Sequence, residues 1–216
     1  MQSIANDDDV LTLNDAEALL GEIRRLSAEV VRLEAQVREL EELAHTDSML
    51  NLLNRRAFVI CLESLIARVE RHGVQAAMLF VDVDNLKPVN DGLGHNAGDA
   101  ALTKVGQLLS ESVRKSDCVA RIGGDEFGIL LEKVGEVDAW QMALRIVERA
   151  VDFCFEGKWM PLSVAVGAAE IRVGDKAADV MRRADEAMYR IKSAGGNRRA
   201  SRSNSTIDKD ACPANK

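Results

Sequence analysis

No apolar run in this 216-residue chain reaches the ~18 residues needed to cross a bilayer as a helix, and the N-terminus, MQSIANDDDV, is acidic where a secretory leader is basic. These absences lead to the expectation of a soluble, cytoplasmic protein with no membrane partner. Positive charge is not in excess either. The formal net charge is -7, which argues against a general binder of nucleic-acid backbones but leaves room for a local basic pocket around a small anion. The four cysteines, Cys61, Cys118, Cys154 and Cys212, have none of the paired spacing of a zinc site, a redox dithiol or a disulfide framework. They are expected as reduced core thiols. What is present is a hydrophobic content of 47%, ordinary for a globular protein, in a length that allows one substantial domain and an appendage.

The appendage comes first. Asn14 with Glu17 three residues on resembles a capping box, and apolar residues then recur at Leu19, Ile23, Leu26, Val30, Leu33, Val37, Leu40 and Ala44. Steps of four and three make a heptad seam, with Ile23, Val30 and Val37 at a and Leu19, Leu26, Leu33 and Leu40 at d, the combination that favours a parallel two-stranded coil. Glu29 and Glu34 stand at g and e without basic partners across the seam, so pairing here is expected to be modest. A single amphipathic helix folded on its own domain is the alternative. Residues 1–45 are thus assigned to an N-terminal coiled-coil helix whose first ~14 residues are flexible.

From Thr46 turn residues separate helical from strand-like patterns. Residues 54–73 carry Phe58, Leu62, Leu65, Ile66 and Val69 at helical spacing, with Gly73 where a C-terminal cap belongs. AAMLFVDV, residues 76–83, is an apolar run of strand length, as expected for a strand covered on both faces. A helix over 97–113, a hairpin of 118–122 with 127–131, a helix over 137–153, a strand within 161–171 and a last helix ending near Gly195 complete the pattern. Strand-helix-strand units around a central, mainly antiparallel sheet give an α+β, ferredoxin-like plan for residues 46–198. Residues 199–216 are polar and expected to be disordered.

The acids are concentrated where strands end. Asp82 and Asp84 are two apart and point the same way if the strand continues, and Asp125 and Glu126 follow Gly123 and Gly124 in the middle of the apolar hairpin CVARIGGDEFGILL. Gly-Gly and Gly-Asp pairs supply the positive φ of tight turns, but adjacent acids repel and call for a cation or donors. Paired carboxylates at one sheet edge suit a hard cation such as magnesium; they are also ordinary solvated turn residues. The connection DNLKPVNDGLGHNAGDAAL places Lys87, Asn90 and Asp99 among glycines, after a buried strand and before a helix, where backbone amides and a helix N-terminus cradle phosphate.

These segments resemble the GGDEF-domain diguanylate cyclases, which join two GTP into cyclic di-GMP and release pyrophosphate. DSMLNLLNRRAF, FVDVDNLKPVNDGLGHNAGD, ARIGGDEF and ADEAMYRIKSAGGN stand in that family's order and spacing, over residues 47–197 of 216. The resemblance implies the nucleotide-cyclase, palm-like form of the fold. It implies metal ligation by Asp82, Asp125 and the Val83 carbonyl with Glu126 at or beside the metal, and two magnesium or manganese ions per active site. It implies Asn90 and Asp99 on guanine, Lys87 and Lys192 on phosphates, Gly123 and Gly124 at the substrate, and a homodimer that brings two GTP together. A carboxylate accepts from guanine N1–H and N2–H together, a donor pair adenine lacks, so Asp99 has a physical basis for that role.

Arg114 and Asp117, just upstream, match the family's RxxD product-inhibition site, although Arg-x-x-Asp is also a common surface helix pair. Arg121 reads as structural or as an aid to product binding, and His95 as a brace for its loop. His45 and His72 read as surface helix residues, and Met181, Met188 and Tyr189 as core packing. Leu50, Ala165 and Gly196 depart from the family pattern where Thr, Ser and Arg are usual. Losing the arginine removes a phosphate contact and leaves more to Lys192 or Arg198. The expectation is a diguanylate cyclase, with a weak or degenerate GTP- or cyclic di-GMP-binding module as the alternative.

Overall fold

The computed structural model describes residues 13–150, 153–160 and 162–193, without the side chains of 13–17 and 38–43. The Asn14–Glu17 cap, the Leu40 side chain, Gly195, Gly196, Arg198, Cys212 and the tail from 199 lie outside the described residues. The chain divides between Ala44 and His45 into two compact units.

The first unit is carried by α1, Leu13–His45. Its seam residues Leu19, Ile23, Leu26, Val30, Leu33 and Val37 are each about half exposed, between 48% and 57%. Glu29, which had no expected partner across the seam, is held by Arg32 of the same helix at 2.5 Å.

In the second unit Asn54 opens α2, Arg55–His72, by accepting from the Ala57 N–H, and Gly73 closes it in the left-handed region at φ 63°. The elements that follow are β2, Ala76–Val83; α3, Leu86–Leu93; α4, His95–Ser112; β3, Cys118–Arg121; β4, Glu126–Glu132; α5, Glu136–Arg149; β7, Val164–Ile171; and α6, Ala177–Ser193. A two-residue strand β1, Leu53–Asn54, and a hairpin of β5, Phe153–Phe155, with β6, Lys158–Met160, were not expected. The main sheet runs β1-β3-β4-β2-β7, antiparallel except where β1 meets β3. Its four long strands with α4, α5 and α6 reproduce the ferredoxin-like order.

Every residue of β2 is buried, because its alternate side chains enter different cores. Ala77, Leu79, Val81 and Val83 pack with α4 and α5, while Ala76, Met78 and Phe80 pack with α2 and α6. This is why the strand reads as a continuous apolar run and not as an alternation.

Four expectations are corrected. The polar connection after β2 is two helices, because Gly94 at φ 85° breaks a helix that begins at Leu86. Helix α5 stops at Arg149, and the aromatic residues beyond it enter the β5–β6 hairpin. Tyr189 is 67% exposed, pointing outward from α6 while Met188 beside it is buried. Cys61 and Cys118 are free thiols as expected, whereas Cys154, on the small hairpin outside the core strands, is in a disulfide.

Candidate active site

The ends of β2 and β4, the hairpin turn and α6 converge on one end of the sheet. Antiparallel pairing sets Asp82 opposite Glu126. The Val83 N–H donates to the Asp125 carbonyl at 3.0 Å, so main-chain bonding fixes Asp125 beside β2. Asp84 accepts from the Ser163 hydroxyl at 2.9 Å and donates its own N–H to the Ser163 carbonyl at 3.0 Å. From the last turn of α6, Lys192 Nζ reaches Asp82 Oδ1 at 2.5 Å and stands 3.9 Å from Asp84 Oδ1.

Burial is the first reason the Asp82 carboxyl is pushed above the usual carboxylate range; Lys192 opposes the rise, and Asp125 and Asp84 add to it. Glu126 rises for the same first reason, then by repulsion from Asp125, Asp82 and Asp185, against a smaller pull from Arg55. For Lys192 burial works against the charge, but Asp82, Asp84 and Asp125 outweigh it and strengthen its hold on the proton. Burial first, and repulsion between the carboxylates second, thus oppose ionisation of Asp82 and Glu126. Among the described residues no group of three or more His, Cys, Asp or Glu side chains is gathered as a metal site by itself. The donor chemistry nevertheless fits a hard divalent cation. It is all carboxylate and carbonyl oxygen, and Asp82 is met by the Lys192 ammonium where positive charge is wanted.

The turn that carries Asp125 explains its glycines differently from the expectation. Neither Gly123 nor Gly124 has positive φ. A Cβ on Gly123 would instead lie 2.2 Å from Glu126 Oε2, so glycine is needed there for the carboxylate to fold back against the backbone. Arg121 clamps the turn, donating to the Gly123 carbonyl at 3.2 Å and to the Gly124 carbonyl at 2.8 Å. Its guanidinium also meets Asp47 at 3.4 Å, and Asp47 caps the Met49 and Leu50 N–H groups. Arg55 donates to the Ile122 carbonyl at 3.2 Å. The segment DSMLNLLNRRAF, through Asp47 and Arg55, thus braces the acid turn, and Arg121 takes a structural role.

Helices α3 and α4 lie against each other and hold Asn90 between them. Asn90 Oδ1 is buried with no hydrogen-bond donor, and a Cβ on Gly98 would fall 2.0 Å from it. A buried acceptor without a donor is costly, so Asn90 Oδ1 is a position where a ligand donor would be welcome. Lys87 and Asp99 are exposed on α3 and α4 and are not drawn to the acid cluster. Arg114 and Asp117 form a turn, not a helix pair: Asp117 Oδ2 accepts from the Arg114 N–H at 3.0 Å, and the Asp117 N–H returns to the Arg114 carbonyl at 3.0 Å. Sequence reasoning missed Ser163 and singled out Gly98 only as one glycine among three. A serine directly before the strand that faces Asp82 was the available signal for the first; nothing in the sequence marked the second. Ala165 pairs directly opposite Asp82 and is buried.

The family model described as Diguanylate cyclase, GGDEF domain, matches residues 44–198. The chain is 37% identical over 164 residues to the probable diguanylate cyclase DgcE of Escherichia coli, and 39% identical over 155 residues to the diguanylate cyclase DosC of the same organism. These matches cover 74% and 70% of this chain but only 15% and 34% of those proteins. Among solved structures, the coiled coil and GGDEF domain of DgcB from Caulobacter crescentus, in complex with c-di-GMP, superposes with a TM-score of 0.73 at 28% identity, over 84% of this chain and 97% of that one.

Proposed function

This chain belongs to the GGDEF diguanylate cyclase family, and from that membership we propose that it condenses two GTP into cyclic di-GMP with release of pyrophosphate. The observation that carries the reading is the meeting of Asp82 with Glu126 across β2 and β4, with Asp125 tied to Val83 beside them. Asp82, Asp125, Glu126 and the Val83 carbonyl would hold magnesium or manganese, two ions per site, which when bound supply activation of the attacking 3′-hydroxyl and charge neutralisation at the phosphates. Asn90 and Asp99 orient guanine; Lys87 and Lys192 take phosphate charge; the Gly123–Gly124 turn lets the backbone come close to the triphosphate. Each domain presents one GTP, so two copies must face each other, and the exposed seam of α1 provides the means to hold them at high effective concentration.

Purified chain given GTP and magnesium should form cyclic di-GMP and pyrophosphate. GTP binding with neither product would leave the alternative reading, a binding module. In the same assay Arg114→Ala should shift inhibition by added cyclic di-GMP by about tenfold or more, the loss of a charge-assisted contact, without lowering the uninhibited rate. An unshifted inhibition curve removes the product site from Arg114 and Asp117.

Val30→Glu together with Leu33→Glu places charges at neighbouring a and d positions of the seam. Sedimentation should then give a monomer, and turnover at low protein concentration should fall roughly a hundredfold as the two sites lose their enforced proximity. Full turnover by a verified monomer contradicts the dimer reading.

A further inference from the structure

We propose that Cys61 and Cys118 form an oxidation site, a pair of thiols that a small hydroperoxide converts into an intramolecular disulfide. The two are distant in sequence, on α2 and at the head of β3, yet both line one cleft, pack against the same core and are free. They line one cleft of about 280 Å³ together with Ile60, Ser64, Arg68 and Ser116. Liquid water takes about 30 Å³ per molecule, so a hydroperoxide has room to reach the sulfurs. None of the lining residues belongs to the acid cluster, so the pair is not a part of the proposed catalytic site. Arg68, bonded to Ser64 Oγ at 3.0 Å and paired with Glu132 at 3.5 Å, lines the same cleft beside the thiols.

The Cys118 thiol is pushed up to about 11, first by burial and then by the charge and hydrogen bond of Cys61, with Arg68 opposing. Cys118 therefore keeps its proton, which suits the second step and not the first. In the first step the Cys61 sulfur attacks the terminal oxygen of the hydroperoxide. The O–O bond breaks, the alcohol or water leaves with the Cys61 proton, and Cys61 becomes a sulfenic acid. The Cys118 sulfur then attacks the Cys61 sulfur, the S–O bond breaks, and hydroxide leaves with the Cys118 proton as water. The sulfur pair gives up two electrons to the peroxide, and every proton is accounted for. Because Cys118 directly follows Asp117, the bridge would fasten the Arg114–Asp117 turn to α2.

The test uses the full chain, reduced, freed of reductant and treated with hydrogen peroxide, then alkylated and mapped by mass spectrometry. Expected are a Cys61–Cys118 linked peptide pair lighter than the two free peptides by two hydrogens, its reversal by dithiothreitol, and its loss in Cys61→Ser and Cys118→Ser. Cys118→Ala, verified as folded by circular dichroism, should let dimedone trap the sulfenic acid on Cys61. Both thiols remaining alkylatable, separate over-oxidation of each without a link, or a link from either one to Cys154 would overturn the proposal.

Discussion

Asp82→Asn is expected to lower cyclic di-GMP formation by roughly a thousandfold or more while leaving the fold at least as stable as before. The first half follows from its place: Asp82 is the residue at which β2, β4 and α6 meet, and the amide cannot supply the anionic oxygen that the proposed cation site needs. A thousandfold is about 4 kcal/mol of transition-state stabilisation at 1.36 kcal/mol per tenfold, within what loss of charge stabilisation at a reacting phosphate can cost. The second half follows from the sign of the pKa shift. Burial, with help from Asp125 and Asp84, raises the folded-state pKa of Asp82 despite Lys192. A carboxyl raised on folding favours the folded state below the ordinary carboxylate range, and that contribution is lost as pH rises through the raised value. At neutral pH the ionised Asp82 is held against its preference, so removing its charge relieves more than it forfeits. Turnover assays and thermal melts on the same preparation check both halves. A variant that melts well below the parent would mark Asp82 as a structural ion-pair residue, and one that turns over normally would remove it from the chemistry.

Gly167→Ala is expected to produce the largest loss of stability of any single methyl group added to this sheet. A Cβ there would lie 2.2 Å from the Ala184 carbonyl and 2.2 Å from the Met188 nitrogen, both backbone atoms of α6. A flexible side chain could swing aside; a helix backbone cannot, so α6 has to lift from β7. Overpacking costs typically 1–3 kcal/mol where side chains can adjust, and this contact exceeds that case. Gly167 pairs with Phe80 in β2, two residues before Asp82, and α6 carries Lys192. Denaturant titration should therefore show a fall of more than about 3 kcal/mol, and whatever remains folded should have weakened GTP binding. A variant with parental stability would mean that α6 can slide along the sheet more freely than its packing implies.

The two cases differ in how far the sequence anticipates them. Asp82, Asp125, Glu126 and Lys192 were legible because a strand of fixed direction ends in acids and a turn must follow the glycines, and their meeting was legible from resemblance. Gly167 was not, because a glycine inside AVGAA has the same composition whether a helix crosses it or water does. Tyr189 fails for a related reason: its apolar ring invites a core assignment, while only the rotation of α6 on the sheet decides which face it takes. The helix pair after β2 was hidden by its polar composition, since helices α3 and α4 rest on packing to the core and on the Gly94 break more than on their own propensity.

Local rules, acting over a few residues, were enough to set the periodicity of α1, the two-sided burial of β2, the cap at Gly73 and the clustering of carboxylates at strand ends, because helical and strand periods and turn chemistry are written in neighbouring positions. Contacts between distant segments decided the rest: Arg121 reaching back to Asp47, the Glu126 carboxylate needing a bare Gly123, Asn90 facing Gly98, and Cys61 sharing a cleft with Cys118. Each depends on how far apart two elements stand in space, a quantity set by the packing of the two cores against the sheet and carried by no single stretch of chain.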